Sequence, residues 1–236
     1  MKPIIEKAWL IPMGNVNGVL LEGESGELVL VDAGFPGHEG DVFEALTELG
    51  HQPEDLTHIV FTHAHPDHTG SAAAIVTRTG AETWMHPLDI AIAESGGPFR
   101  AMSPSPGLVQ RILFRLFFHA DETVAPVRID HRIDDGQTLP IAGGLKVIHT
   151  PGHSAGHVAL LWQESRLLIA GDVGSNMFGV SDPLGFEDFA QGRASQRKLA
   201  SLTFEAAAFG HGRAISADAM KGVRRGWGSP SRAQAA

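Results

Sequence analysis

The sequence predicts an α/β fold in which two β-sheets stack face to face with helices on their outer surfaces. Three observations lead there. Short β-prone runs fill both halves of the chain, helical patterns sit between them, and several of the runs end in histidine or aspartate. The 236 residues are 43% hydrophobic, enough for one substantial core, so a single domain over 1–224 with a flexible tail at 225–236 is expected.

Taken in order, 16–21 (VNGVLL) and 28–31 (LVLV) read as strands separated by a turn containing Gly and Ser, and DAGFPGH follows as punctuation. A helix is expected over 41–49, where Val42, Ala45, Leu46 and Leu49 recur at three- and four-residue spacing. The run 57–63 (THIVFTH) is continuously apolar, as in a strand covered on both faces. Helical composition over 69–79 stops at Gly80, 81–86 (AETWMH) is a strand, and 87–94 (PLDIAIAE) is a short helix opened by proline. Breakers crowd 96–107, which reads as an exposed excursion leading into the most apolar helical segment, 108–118. Strands return at 123–129, 137–143, 145–150, 157–162 and 166–172, joined by Asp-Gly and Gly-Gly turns, and a helical pattern covers 193–209 up to Gly210.

The formal charge of −9 argues against a nucleic-acid partner, because that binding is driven by Lys and Arg releasing counterions. Cysteine is absent, so disulfides and thiolate ligands are excluded, and any metal must be held by imidazole and carboxylate. Glu6 and Lys7 interrupt any N-terminal apolar run, and no apolar stretch is long enough to span a bilayer. A cytoplasmic protein with no membrane partner, acting on a small molecule, is the expectation.

Histidine, by contrast, is frequent. There are thirteen, and His63, His65, His68, His153 and His211 fall in three short segments. HAHPDH places four donors in six residues after an apolar strand, and TPGHSAGH presents His153 on a turn eased by Pro151 and Gly152. Asp172 ends the run LLIAGD, and His211 lies between two glycines. Alone, Asp172 is an ordinary turn residue; in this company its two oxygens suit a position between two cations. Together His63, His65 and His153 would hold one divalent ion, Asp67, His68 and His211 a second, with Asp172 linking them. That inventory leaves coordination free for water, which two cations would convert to a hydroxide nucleophile near neutral pH, with Asp67 orienting it and passing its proton on. Zinc is the first choice, and manganese, iron or cobalt accept the same donors. His157 and His86 are read as structural histidines, and Arg100 as a solvated arginine.

HAHPDH resembles the HxHxDH signature of the metallo-β-lactamase fold superfamily. VNGVLL and LVLVDAG are similar to that family's opening strands, TPGHSAGH to its second metal motif, AGD to its bridging aspartate and FGHG to its last histidine. The resemblance implies an αββα sandwich of two mixed sheets with the site at one edge. It repeats the ligand assignment above and makes Asp32 a support behind the ligands. GHG looks most like the acyl-homoserine-lactone lactonase and glyoxalase II branches. The lactonases place a tyrosine beside the metals, and this chain has none. The implied activity is hydrolysis of a lactone, ester or thioester. Phosphodiesterase activity, iron-dependent sulfur dioxygenation and a catalytically silent metal-binding member are the alternatives.

Specificity is expected to reside in 96–121. Met102, Leu108, Ile112, Phe114, Phe117 and Phe118 would form an apolar wall over the metals, while a core helix of the same composition fits equally. If the apolar face lay at the surface, it would make a homodimer.

Overall fold

The computed structural model describes residues 1–118 and 122–228; positions 119–121 of the excursion and 229–236 of the expected tail lie outside them. The chain opens with strands β1 (Lys2–Ile5), β2 (Ala8–Met13), β3 (Val16–Glu22) and β4 (Leu28–Val31), then helix α1 (Glu39–Glu48), β5 (Leu56–Val60), the single turn α2 (Pro66–Thr69) and α3 (Ala72–Thr79). Next come β6 (Glu82–Met85), α4 (Pro87–Ser95), β7 (Ser103–Pro104), α5 (Leu108–Phe117), β8 (His131–Arg132) and β9 (Thr138–Leu139). The remainder is β10 (Leu145–His149), β11 (Val158–Trp162), β12 (Leu167–Ile169), β13 (Gly185–Phe186), α6 (Phe189–Ala200), β14 (Ala206–Ala208) and α7 (Ala219–Trp227).

Two mixed sheets result, in the orders β1-β2-β3-β4-β5-β6-β8 and β14-β12-β11-β10-β9, with β13 and β7 forming a small separate ribbon. In the first sheet β4, β5, β6 and β8 run parallel; in the second, only β12 and β14 do. Alternate residues of each strand enter different apolar layers, because side chains switch face at every step. Val19, Val29, Val31 and Val60 meet Val147, Val158, Leu160 and Ile169 between the sheets. Leu20, Leu30 and Ile59 point the other way, onto Val42, Leu46 and Ile75 of α1 and α3. On the far side Ile148, Leu168 and Ala207 pack against Leu199, Val223 and Trp227 of α6 and α7. This is the expected αββα sandwich, and it explains why LVLV carries no polar residue: both faces of the strand are covered.

Four segments depart from the sequence reading. Residues 123–129 join no sheet; Val124 and Val127 donate to Gly96 and Ala93 carbonyls along α4, and Pro126 between them has no N–H to offer a ladder. The segment 137–143 contributes only Thr138–Leu139 to the second sheet, its ladder ending before Pro140. The helical pattern at 193–209 splits, since α6 ends at Ala200 and Ala206–Ala208 pair parallel with Leu167–Ile169, a tertiary ladder overriding alanine's helical preference. At 225–227 the chain is not a tail but the last turn of α7, with Trp227 wholly buried and its indole donating to Ser181 O at 3.2 Å. Among the described residues no helix is long and apolar enough to cross a membrane.

Candidate metal centre

The donors gather at one edge of the sandwich because each lies where a strand ends. Residues 61–65 continue from β5 and turn into α2 at Pro66, with His65 extended at the N-cap. TPGHSAGH is the hairpin between β10 and β11, Asp172 lies in a 3-10 turn after β12, and His211 follows β14. Gly210 is required there, since a Cβ would overlap Asp172 Oδ1 and crowd the His68 ring.

His63 Nε2 stands 2.9 Å from His65 Nδ1, which is 3.0 Å from His153 Nε2. Partners on the far side of each ring decide the tautomers. His153 Nδ1 faces Gly185 O at 2.9 Å, an atom that only accepts, so Nε2 presents a lone pair inward. The Thr62 hydroxyl gives its proton to Asp32 Oδ2 at 2.8 Å and therefore accepts from His63 Nδ1 at 3.0 Å, which again leaves Nε2 bare. Burial pushes the pKa values of His63 and His153 below the ordinary imidazole value; burial, with the neighbouring His153, brings His65 down to about 3. Neutral imidazoles with converging lone pairs are the donor set a divalent ion takes.

The second group is Asp67, His68, Asp172 and His211, whose donor atoms all lie within 4.8 Å of one another. His211 Nε2 is 3.2 Å from Asp67 Oδ2 and 3.1 Å from Asp172 Oδ2, while its Nδ1 donates to Asn15 O at 2.8 Å. His68 Nδ1 is fixed by Asp32 Oδ2 at 2.8 Å. Burial opposes charge on His68 and His211, yet the surrounding carboxylates outweigh it and hold both pKa values well above the ordinary one. Burial likewise opposes ionisation of Asp67 and Asp172, and the His68 and His211 imidazoles reverse that and hold both well below the usual carboxylate range. His68 Nε2 and Asp172 Oδ1, 3.6 Å apart and buried, have no hydrogen-bond partner, which fits an ion between them. Asp172 also reaches the first group, its Oδ2 lying 3.5 Å from His153 Nε2.

All seven predicted donors therefore come together, and Asp32 sits behind them, held at φ 63° by bonds to the Thr62 amide and hydroxyl. His157 takes the Asp172 backbone N–H on Nε2 at 2.9 Å, and His86 caps α4 while stacking on His149. Sequence reasoning missed Asn17, whose amide holds the Phe209 and Gly212 carbonyls on either side of His211, and Asp89, which carries no motif signal within PLDIAIAE. Nor is Arg100 the solvated arginine expected, since its guanidinium binds Asp89 and Glu187. Helix α5 has no buried residue, so it is not a core helix; Leu108, Ile112 and Phe117 are exposed, Met102 and Phe118 half-buried, and Phe114 packs on Gly185 beside His153.

The sequence profile described as the metallo-beta-lactamase superfamily matches residues 11–211. The chain belongs to this superfamily. It is 27% identical over 173 residues to an N-acyl homoserine lactonase of Bacillus sp, covering 62% of this chain and 58% of that one. It is 30% identical over 214 residues to a hydroxyacylglutathione hydrolase of Rhizobium etli, covering 89% and 67%. A crystal structure of a metallo-beta-lactamase family protein from Thermus thermophilus superposes with a TM-score of 0.69 at 26% identity, over 94% of this chain and 79% of that one. The chain spans about three fifths of the length of the first curated relatives it matches. Two adjacent groups of donors, linked through Asp172, could each hold a metal ion on this superfamily's fold.

Proposed function

We propose that the protein hydrolyses a lactone, ester or thioester at a dinuclear centre, with His63, His65 and His153 holding one ion, Asp67, His68 and His211 the other, and Asp172 between them. The observation that carries this reading is the position of Asp172 Oδ2, 3.5 Å from His153 Nε2 and 3.1 Å from His211 Nε2, which ties both donor groups to one carboxylate. When bound, the two ions, zinc in this proposal, would lower the pKa of water and polarise the attacked carbonyl oxygen. The chain's own residues supply the rest. Asp32 and Gly185 O orient the rings of His68 and His153. Asp67, more exposed than Asp172 and beside His211, would orient the attacking water and help pass its proton to the leaving oxygen or sulfur. Phe114, packed on Gly185 whose carbonyl holds His153, links the apolar wall predicted from Met102 to Phe118 to the first donor group and would face the acyl part of the substrate.

The similarity to a lactonase and a hydroxyacylglutathione hydrolase supports an acyl-transfer substrate over a phosphodiester. The test is turnover of a panel of lactones, thioesters, esters and phosphodiesters by zinc- and manganese-loaded protein, with chelated protein as control. Asp67→Ala is expected to lower turnover at least about 100-fold while the fold is retained. Full turnover by that variant, or preference for the phosphodiesters, overturns the reading.

A further inference from the structure

Behind the first donor group lies a cluster of charges that touches none of the seven ligand side chains. Asp89, on α4, is completely buried. Its Oδ2 accepts from the Ala64 backbone N–H at 3.2 Å and from the Ser154 hydroxyl, and its Oδ1 accepts from the Gly156 N–H at 3.0 Å and from Arg100 Nη2. Gly156 approaches so closely that a Cβ there would overlap the carboxylate. Arg100 comes from the excursion. Its Nε reaches both Glu187 oxygens at 2.9 and 3.0 Å, and Nη1 donates to Leu88 O at 3.0 Å. Glu187 Oε2 in turn accepts the Ala155 N–H at 2.8 Å.

Ala64 is the residue between His63 and His65, and Ser154, Ala155 and Gly156 directly follow His153. The 3.0 Å separation of His65 Nδ1 and His153 Nε2 joins two loops 88 residues apart, and Asp89 is the side chain bonded to both of them. We propose that Asp89, held in place by Arg100 and Glu187, is a positioning residue that sets the spacing of the first metal site selectively. The inference rests on the metal centre proposed above. The second donor group is held instead by Asp32, Asn15 and Asn17; Asp32 also reaches His63 through Thr62, whereas of the two donor groups Asp89 bonds only to the loops of the first. An ion pair of this kind contributes little net stability, while partners behind a ligand commonly set metal affinity by about 10–100-fold. Phe99, the neighbour of Arg100, meets the His65 ring in a T-shaped arrangement at 6.2 Å between centroids, so the excursion also packs against the first site.

The test measures zinc affinity by chelator competition on the full chain in two backgrounds. His211→Ala breaks the second group and isolates the first; His153→Ala does the converse. Asp89→Asn in the His211→Ala background is expected to weaken zinc about 10–100-fold, and in the His153→Ala background to leave the remaining site within about twofold. Arg100→Ala should reproduce the selective loss. Arg100→Lys should restore only part of it, because an ammonium cannot span Asp89 and Glu187 together. Equal weakening of both sites, or unchanged affinity in the His211→Ala background, overturns the proposal. If Asp89→Asn does not fold by circular dichroism, the Arg100 variants decide by the same selectivity. Failure of the parent protein to take up two equivalents of zinc would instead overturn the metal centre itself.

Discussion

Asp32→Ala probes the support behind both donor groups. It removes the acceptor of three buried donors, the Thr62 amide, the Thr62 hydroxyl and His68 Nδ1, each at 2.8 Å. Each buried donor left unpaired costs about 1–3 kcal/mol, and alanine at φ 63° adds about 1–2 kcal/mol. Part of this returns because a carboxylate need no longer be stripped of water, so a net loss of about 3–5 kcal/mol is expected in the metal-free protein. The change also reaches the metals. A Thr62 hydroxyl released from Asp32 can donate to His63 Nδ1, which moves the ring proton to Nε2, the atom that faces the first ion. The assays are urea unfolding of chelated protein and zinc affinity by chelator competition, with Asp32→Asn as a variant that keeps size and tolerates the left-handed backbone. Unfolding within about 1 kcal/mol of the parent together with unchanged zinc affinity would refute the relay from Asp32 through Thr62.

Four further outcomes follow from the structure. Gly210→Ala should abolish the second equivalent of bound metal and weaken the first less, because the added methyl displaces Asp172 and crowds His68 and reaches the first group only through Asp172; equilibrium dialysis counts the ions. Metal uptake should be pH-dependent in unequal measure: protonated His68 and His211 must release protons to the second ion, so its affinity rises with pH through their raised pKa values, while His63, His65 and His153 are already neutral. For stability the depressed histidines also favour higher pH. An unfolded imidazole titrates near its ordinary value whereas folded His65 titrates at about 3, so the metal-free fold loses stability as pH falls between those values, and calorimetry in buffers of different ionisation enthalpy follows both effects. Leu116→Glu on α5 should change the melting free energy by no more than about 0.5 kcal/mol, since the side chain is 61% exposed; a loss of several kcal/mol by denaturant unfolding would mean that this face is covered.

Most of the donor set was legible in the chain because its members, His211 excepted, follow runs that read as apolar strands, and a strand's end is where a sheet delivers side chains to an edge. HAHPDH alone brings four donors within six residues, a density that local sequence displays without help from the fold. The layered core was legible for a similar reason, as LVLV and THIVFTH are apolar on both faces. Local sequence did not reveal Asp89 or the role of Arg100. An aspartate in a short helix and an arginine in a loop look solvated until tertiary structure buries one and draws the other against it. The fate of 206–208 was hidden in the same way: three alanines favour a helix, and only the open edge of β12 makes them a strand. The sequence by itself determined which histidines and aspartates form the candidate donor set and, except before His211, the strands that carry them, because these depend on residue type and short spacing. Tertiary structure alone decided which ring nitrogen faces inward, how the two histidine loops are held 3.0 Å apart and that α5 lies open, because each depends on atoms supplied by distant segments.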